Sequence, residues 1–423
     1  MRQTRFTRLV AVGALGAVLL GACGSTSSGS SAAGGSASGG ASPGVDVATK
    51  TITIGGTGPL TGPDAAFGLG TLAAEAEIDA VNASGGVNGW KIKYDVLNDQ
   101  YQPSLALSEA RQLVSQDHIF ALVGELGTPN GLATIPFCLS NNLPDIGFSE
   151  ETGALAANPS WLSSDLLYGF QIPYGNIAAW DVSYLAQQQH ATSFALAYQD
   201  DAVGTAVNPG MQYGAKQNHI KLAADVPVPD SATDFSGYAA TLKASGAPWV
   251  FAWLPPPELS GLIKTAASIG YTPHWMAPFF DPIPSVFSVL GSSLSNGLYF
   301  ESWLDAIPTS SGVQQFNSAI AKYEPKASGS GAVGELGWIG AGEFIYALQK
   351  ATAGGKTPTR QAVINALDNG QPFTPGNLGF TLQYSGTSRI PSGSDSVYKY
   401  ENGSLVKVYG PTTVPSIPSS QLK

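Results

Sequence analysis

The sequence predicts an α/β protein built from two doubly wound parallel-sheet domains, and three observations carry that prediction. From Thr51 onward, short apolar runs alternate with helical patterns, the signature of parallel strands crossed by helices. Nine such runs exceed one comfortable sheet. The chain has 423 residues, 43% of them hydrophobic, which suffices for two cores.

The runs follow in order. Predicted strands are "TITIGG", "KIKYDVLN", "IFALVGE", "PDIGF", "SFALAYQ", "KLAADVPV", "WVFAWL", "HWMAPF" and "GLYFES". The helical patterns between them are "LGTLAAEAEIDAVNAS", "SLALSEARQLVSQD", "PNGLATIPFCLSNN", "NIAAWDVSYLAQQQ", "FSGYAATLKAS" and "PELSGLIKTAASIG". Beyond Ser302 the pattern turns helical in "GVQQFNSAIAKYE", "GELGWIGAGEFIYALQKAT" and "TRQAVINALDNG". The end closes with "SVYKYENGSLVKVYG", where Asn402-Gly403 between alternating segments marks a hairpin.

The first residues read as a targeting segment. Arg2, Arg5 and Arg8 precede the apolar run "LVAVGALGAVLLGA", which is short for a membrane span. It ends in Leu20-Gly21-Ala22-Cys23, which resembles the lipobox of bacterial lipoproteins; an ordinary signal peptide with a chance cysteine is the alternative. The lipobox resemblance implies residues 1–22 as a cleaved leader and lipid on the Cys23 sulfur. It places the body outside the cytoplasm, anchored to the outer face of a bacterial cell membrane. Residues 23–50 are mostly Gly and Ser, the composition of a flexible tether.

Composition narrows the function classes. A formal charge of −10 with no basic block argues against nucleic acid as a partner. Cys138 is the second and last cysteine, so no internal disulfide is expected, and a buried inert thiol is the better reading. His118, His190, His219 and His274 are scattered without zinc spacing, so neither a metal nor another cofactor is implied. No Gly-x-Ser-x-Gly elbow occurs, and no carboxylate pair stands out, so catalysis finds no support.

Gly68-x-Gly70-x-x-Ala73 formally matches a dinucleotide fingerprint, but about a dozen residues separate it from the strand that should lead straight into it. Read whole, residues 51–100 resemble the start of the type I periplasmic binding proteins of the Leu/Ile/Val-binding family. The matching features are "GPLTGPDAAFG", "AVNASGGVNGWKI" and "YDVLNDQYQPSLALSEARQLV". "IFALVGELGTPN", "WVFAWLPPPELSGLIKTAASIG" and "GWIGAGEFIYALQKA" extend the likeness to about Gly410.

The resemblance implies two lobes joined by a three-segment hinge, with ligand in the cleft between them. Crossings are expected near Ile172, Glu301 and Ser388. Lobe 1 would be residues 51–172 and 301–387, and lobe 2 residues 173–300 and 388–423. It implies a substrate-binding lipoprotein that delivers a small molecule to ABC permease and ATPase subunits. A sensor on the same fold is the alternative.

Candidate ligand residues follow. Thr128 before Pro129 reads as an N-cap followed by a first-turn proline, a seat for a polar oxygen or simply a helix cap. The resemblance assigns that loop, with Leu126 and Gly127, to gripping a ligand carboxylate. Ser149 falls where a backbone carbonyl meets the ligand amine. Glu151 stands where a threonine is usual, either facing the ligand or solvated. Phe279 replaces the family's ammonium-binding glutamate, with Asp281 two residues on. Pro255 replaces an aromatic contact beside Trp253, and Val203 a common tyrosine. Phe67, Leu336 and Trp338 would complete the wall. These aromatics suit either an apolar ligand body or the core. The departures predict a neutral or aromatic-bodied ligand rather than leucine; an ordinary branched-chain amino-acid site, with Asp281 on the ammonium, is the other reading.

Overall fold

A computed structural model describes residues 42–149, 152–230, 232–304, 310–378, 380–386 and 389–422. Cys23, Glu151 and Ser388 lie outside the described residues.

The first half alternates as its pattern predicts: β1 (Val45–Asp46), β2 (Thr51–Gly58), α1 (Gly68–Ala83), β3 (Lys91–Asn98), α2 (Pro103–Ser115) and β4 (Leu122–Val123). Next come α3 (Thr128–Ser140), β5 (Asp145–Phe148), α4 (Thr152–Ala157), α5 (Pro159–Leu162) and β6 (Leu167–Gly169). The middle repeats the motif with α6 (Tyr174–Gln187), β7 (Ser193–Gln199), α7 (Ala202–Gln217), β8 (Lys221–Val228) and α8 (Ser236–Ser245). It continues through β9 (Trp249–Trp253), α9 (Pro256–Ser268), β10 (His274–Ala277), α10 (Pro284–Ser295) and β11 (Tyr299–Ser302). The chain ends with α11 (Ser311–Tyr323), α12 (Gly331–Ala351), α13 (Arg360–Leu367), β12 (Ser394–Glu401) and β13 (Ser404–Thr413).

Two sheets result. In the first, parallel strands run β3-β2-β4-β5-β6, with β1 antiparallel at the start of β2. In the second, the order is β8-β7-β9-β10-β11, again parallel, and β12 and β13 add antiparallel at the far edge. Each parallel run therefore has its first strand between its second and third. That reversal opens a crevice at the carboxyl ends of the flanking strands, where doubly wound proteins hold ligands.

Sequence pattern and structure part in a few places. "IFALVGE" is ladder-paired only at Leu122–Val123, because the chain turns away at Gly124, whose φ is +72°. α7 escapes a propensity reading because Gly204, Pro209, Gly210 and Gly214 interrupt it. Those small residues serve packing: a Cβ on Gly210 would come within 2.2 Å of the Gly175 carbonyl on α6. The hairpin stands as predicted, with φ of +53° at Asn402 and +87° at Gly403.

α12 is buried along most of its length and crosses α1 with backbones almost touching. A Cβ on Gly337 would lie 1.8 Å from the Gly70 carbonyl oxygen. Cys138 is fully buried in a small core cluster with Ala110, Leu113, Ile119, Leu122 and Leu143, and burial pushes its thiol pKa up.

Candidate functional site

The two crevices are built from the loops that follow β2 and β4 in one sheet and β7 and β9 in the other. The β4–α3 loop is tied down from below by Glu125. Its Oε1 accepts hydrogen bonds from the Thr57 backbone N–H at 2.9 Å and the Thr57 hydroxyl at 3.1 Å. The Thr134 hydroxyl reaches Oε2 at 3.3 Å. Burial raises the Glu125 pKa, and Asp145 beside it is raised as well, first by burial and then by Glu125. Glu125 thus ties the loop after β4 to β2.

The helix start is displaced by one residue from the predicted cap. Gly127, not Thr128, is the N-cap, with φ +109° and ψ +103°, and its carbonyl accepts from Asn130 and Gly131. Only a residue without Cβ fits, because a Cβ there would sit 2.9 Å from Cε2 of Tyr101. Thr128 thus enters the helix as its first residue. Its side chain is released from capping: Oγ1 is buried and has no hydrogen-bond partner among the described residues. Ser149 Oγ is in the same condition.

Phe67, Tyr101, Gly127, Tyr174, Gln199, Val203 and Phe280 surround a cavity of about 10 Å³, room for roughly one water. Its aromatic members interlock: Phe67 stacks on Tyr101 at 5.7 Å between centroids and meets Phe280 edge-on at 5.6 Å. Of the residues named from sequence, the structure brings Phe67, Gly127 and Val203 together here. Sequence reasoning misses Tyr101, Tyr174, Gln199 and Phe280, which complete the ring. Tyr101 follows the acidic loop at Asp99 and Tyr174 follows the first crossing, so position relative to strand ends is the signal that could have found them.

The other candidates stand elsewhere. Trp253 is fully buried behind Tyr174, edge-on at 5.2 Å. Pro255 is the N-cap of α9. The Phe279 N–H donates to Glu301, while its ring packs on Phe280 and on Trp303. Trp338 turns from the cavity, donating from Nε1 to the Gly376 carbonyl at 2.9 Å and meeting Phe316 edge-on. Leu126 and Leu336 are buried; a Cβ on Gly70 would come within 2.3 Å of Leu126 Cδ1.

Acids rim the seam between the sheets. Asp64 lies in the β2–α1 loop, and Asp201, Asp230, Glu258 and Asp281 follow β7, β8, β9 and β10. Asp64 is raised to about 7 by burial, then by Asp230 and Asp201; Glu258 is raised to about 8, chiefly by burial. Asp201 is raised to about 6 by burial and Asp230, even though its carboxylate caps α7 through the Val203 N–H at 2.7 Å. Asp281 is fully buried with neither carboxylate oxygen partnered among the described residues, and burial raises it well above the usual range. No group of three or more potential metal ligands gathers among the described residues.

Residues 51–397 match the family model described as periplasmic binding protein. A Leu/Ile/Val-binding protein homolog of Brucella melitensis is 25% identical over 85% of this chain and 94% of its own length. An amino acid binding protein of Pseudomonas aeruginosa is 26% identical, the match spanning 54% of this chain and 61% of that protein. Among solved structures, a fatty acid ABC transporter substrate-binding protein from Thermomonospora curvata superposes with TM-score 0.76 at 22% identity, covering 90% and 96% of the two chains. A branched-chain amino acid ABC transporter protein from Thermus thermophilus with bound valine gives 0.76 at 16%, covering 86% and 96%. An R. palustris solute-binding protein in complex with 4-hydroxybenzoate gives 0.73 at 18%, covering 86% and 98%. The chain belongs to the periplasmic binding protein family, with the type I fold shared by the Leu/Ile/Val-binding proteins.

Proposed function

We propose that this protein is the lipid-anchored, extracytoplasmic substrate-binding component of an ABC importer, and that it closes its two lobes on a small neutral or aromatic-bodied organic molecule. The carrying observation is the meeting of both crevices at one seam, where Phe67 and Gly127 of one sheet's loops face Gln199 and Val203 of the other's. A space of about 10 Å³ admits no organic ligand. Uptake there requires the lobes to part at crossings near Ile172, Glu301 and Ser388, and ligand then favours the closed population by its differential affinity. Relatives named Leu/Ile/Val-binding protein and fatty acid ABC transporter substrate-binding protein, and solved structures holding valine or 4-hydroxybenzoate, support a binding role without chemistry.

Phe67, Gly127, Thr128 and Val203 are the proposed contacts, with Leu126, Ser149, Glu151, Asp281 and Leu336 around them. Trp253, Pro255, Phe279 and Trp338 are proposed as the frame behind. The acid rim argues against an anionic ligand, since a carboxylate entering it meets Asp201, which is ionised above about pH 6. Calorimetric titration of the purified protein against amino acids, amides, aromatic acids, polyols and sugars tests the reading: one class binds at micromolar affinity or tighter. Absence of binding across all classes removes it. Lipid anchoring is tested separately, by loss of labelled fatty-acid incorporation and of membrane partitioning in Cys23→Ala.

A further inference from the structure

The seam does not end at the aromatic ring. Immediately beyond Gly127, Tyr174 and Val203, their neighbours Thr128, Gly175 and Ala202 open into a second cavity of about 670 Å³. Its floor comes from α3 and α4, with Leu132, Ala154 and Ala157, and its roof from α7, with Ala206 and Pro209. Two of the three proposed crossing segments contribute Pro173 and Ile390. The segment after β13 lines its outer side through Ile417 and Leu422, and the Ile417 N–H donates to Asn176 on α6 at 3.4 Å.

Two features make this a ligand compartment rather than a packing gap. The volume lies within the range of small-molecule sites, and small apolar side chains dominate its wall. Thr128 stands at its inner end; its Oγ1 is buried from that space and has no hydrogen-bond partner among the described residues, so a ligand head reaches it as the lobes part. A buried hydroxyl in that state is destabilising unless something accepts from it or donates to it.

We infer that the 670 Å³ compartment receives the extended apolar tail of the ligand, whose uncharged hydrogen-bonding head meets Thr128, so that the substrate class is a neutral amphiphile such as a long-chain primary amide. The inference rests on the proposed ligand-binding reading and deepens it. An amino acid with a branched side chain fills only a small part of such a space. Asp201 beside Ala202 disfavours an anionic head at the same end.

The test is a homologous series of primary amides, butanamide to decanamide, titrated into the full chain. Each added methylene is expected to tighten binding about three- to fourfold, since burying one is worth ~0.8 kcal/mol. Ala206→Trp fills the compartment and is expected to flatten that dependence on length; Ala157→Leu repeats the test from the opposite wall should the first variant misfold. Matched n-alkanoates are expected to bind at least tenfold more weakly than the amides. Affinity independent of length overturns the tail compartment, while the head contact and the binding reading stand. Alkanoates binding as tightly as amides overturn the uncharged head. If a short polar solute binds and no amide does, the inference fails and the proposed function survives; if nothing binds, both fail.

Discussion

Replacing Gly127 by alanine is the most direct probe of how the candidate site is assembled. The residue has φ +109° and ψ +103°, a conformation that side-chain-bearing residues occupy only under strain of ~1–3 kcal/mol. The added methyl would stand 2.9 Å from the Tyr101 ring, closer than carbon atoms approach. That ring must move, and it is stacked on Phe67 at 5.7 Å, an arrangement worth ~0.5–1.5 kcal/mol. Together these give an expected loss of ~2–4 kcal/mol. Gly246→Ala is the control: its φ is +64°, and a Cβ there has nothing within 4 Å, so only the backbone cost of ~1–2 kcal/mol remains. Urea unfolding followed by circular dichroism measures both. A double-mutant cycle with Tyr101→Ala is expected to recover ~1 kcal/mol of the Gly127→Ala loss. Equal losses in the two alanine variants, with no coupling to Tyr101, would refute the account of the loop.

Three further outcomes follow from the same geometry. Thr128→Val keeps the shape and removes an unpartnered hydroxyl, so fold stability is expected to hold or rise slightly while ligand affinity falls by ~1–2 kcal/mol in calorimetry. Asp64 has its pKa raised from 3.8 to about 7, so the folded state holds this proton more tightly than the unfolded chain. Its contribution is full below pH 3.8 and disappears as pH rises to about 7. Asp64→Asn is therefore expected to raise the melting temperature at about pH 8 and change it little below pH 3.8; an equal change at both would remove the assignment. Leucine is expected to bind weakly or not at all, and sub-micromolar leucine binding that vanishes in Asp281→Ala would restore an ordinary amino-acid site.

The architecture is legible in the sequence because it rests on patterns longer than any single residue. β2 and β3 begin with the apolar alternation that strands show, β7 is a short continuous apolar run, and "AVNASGGVNGW" closes α1 with glycines that take positive φ at Gly85, Gly86 and Gly89. α7 is hidden because its glycines and proline satisfy a close crossing with α6, a tertiary requirement that local propensity reads as a break. The site is half legible. Spacing after strand ends locates Phe67, Gly127 and Val203. It does not show which face a large ring takes, so sequence alone sets Trp338 on the cleft wall although its indole nitrogen is bonded to Gly376. The 670 Å³ compartment is invisible, since alanines scattered over α4 and α7 carry no signature until α3, α4, α7 and the tail bring them around one space.

The crossing of α1 and α12 also governs the order in which this chain can fold. β7 to β11 and their helices come from one uninterrupted stretch, so the parallel part of that sheet can form before the rest of the chain is made. The first sheet has no such freedom. Its face at Gly70 and Gly147 remains open to water until Gly337 and Gly340 arrive much later in the chain. Bringing together segments so far apart in sequence slows folding, and at Gly70 and Gly147 the surfaces that finally meet are backbone against backbone, flanked by side-chain contacts such as Phe120 edge-on to Phe344. The first sheet thus begins synthesis first but waits for α12, while β12 and β13, later still, extend the far edge of the second sheet.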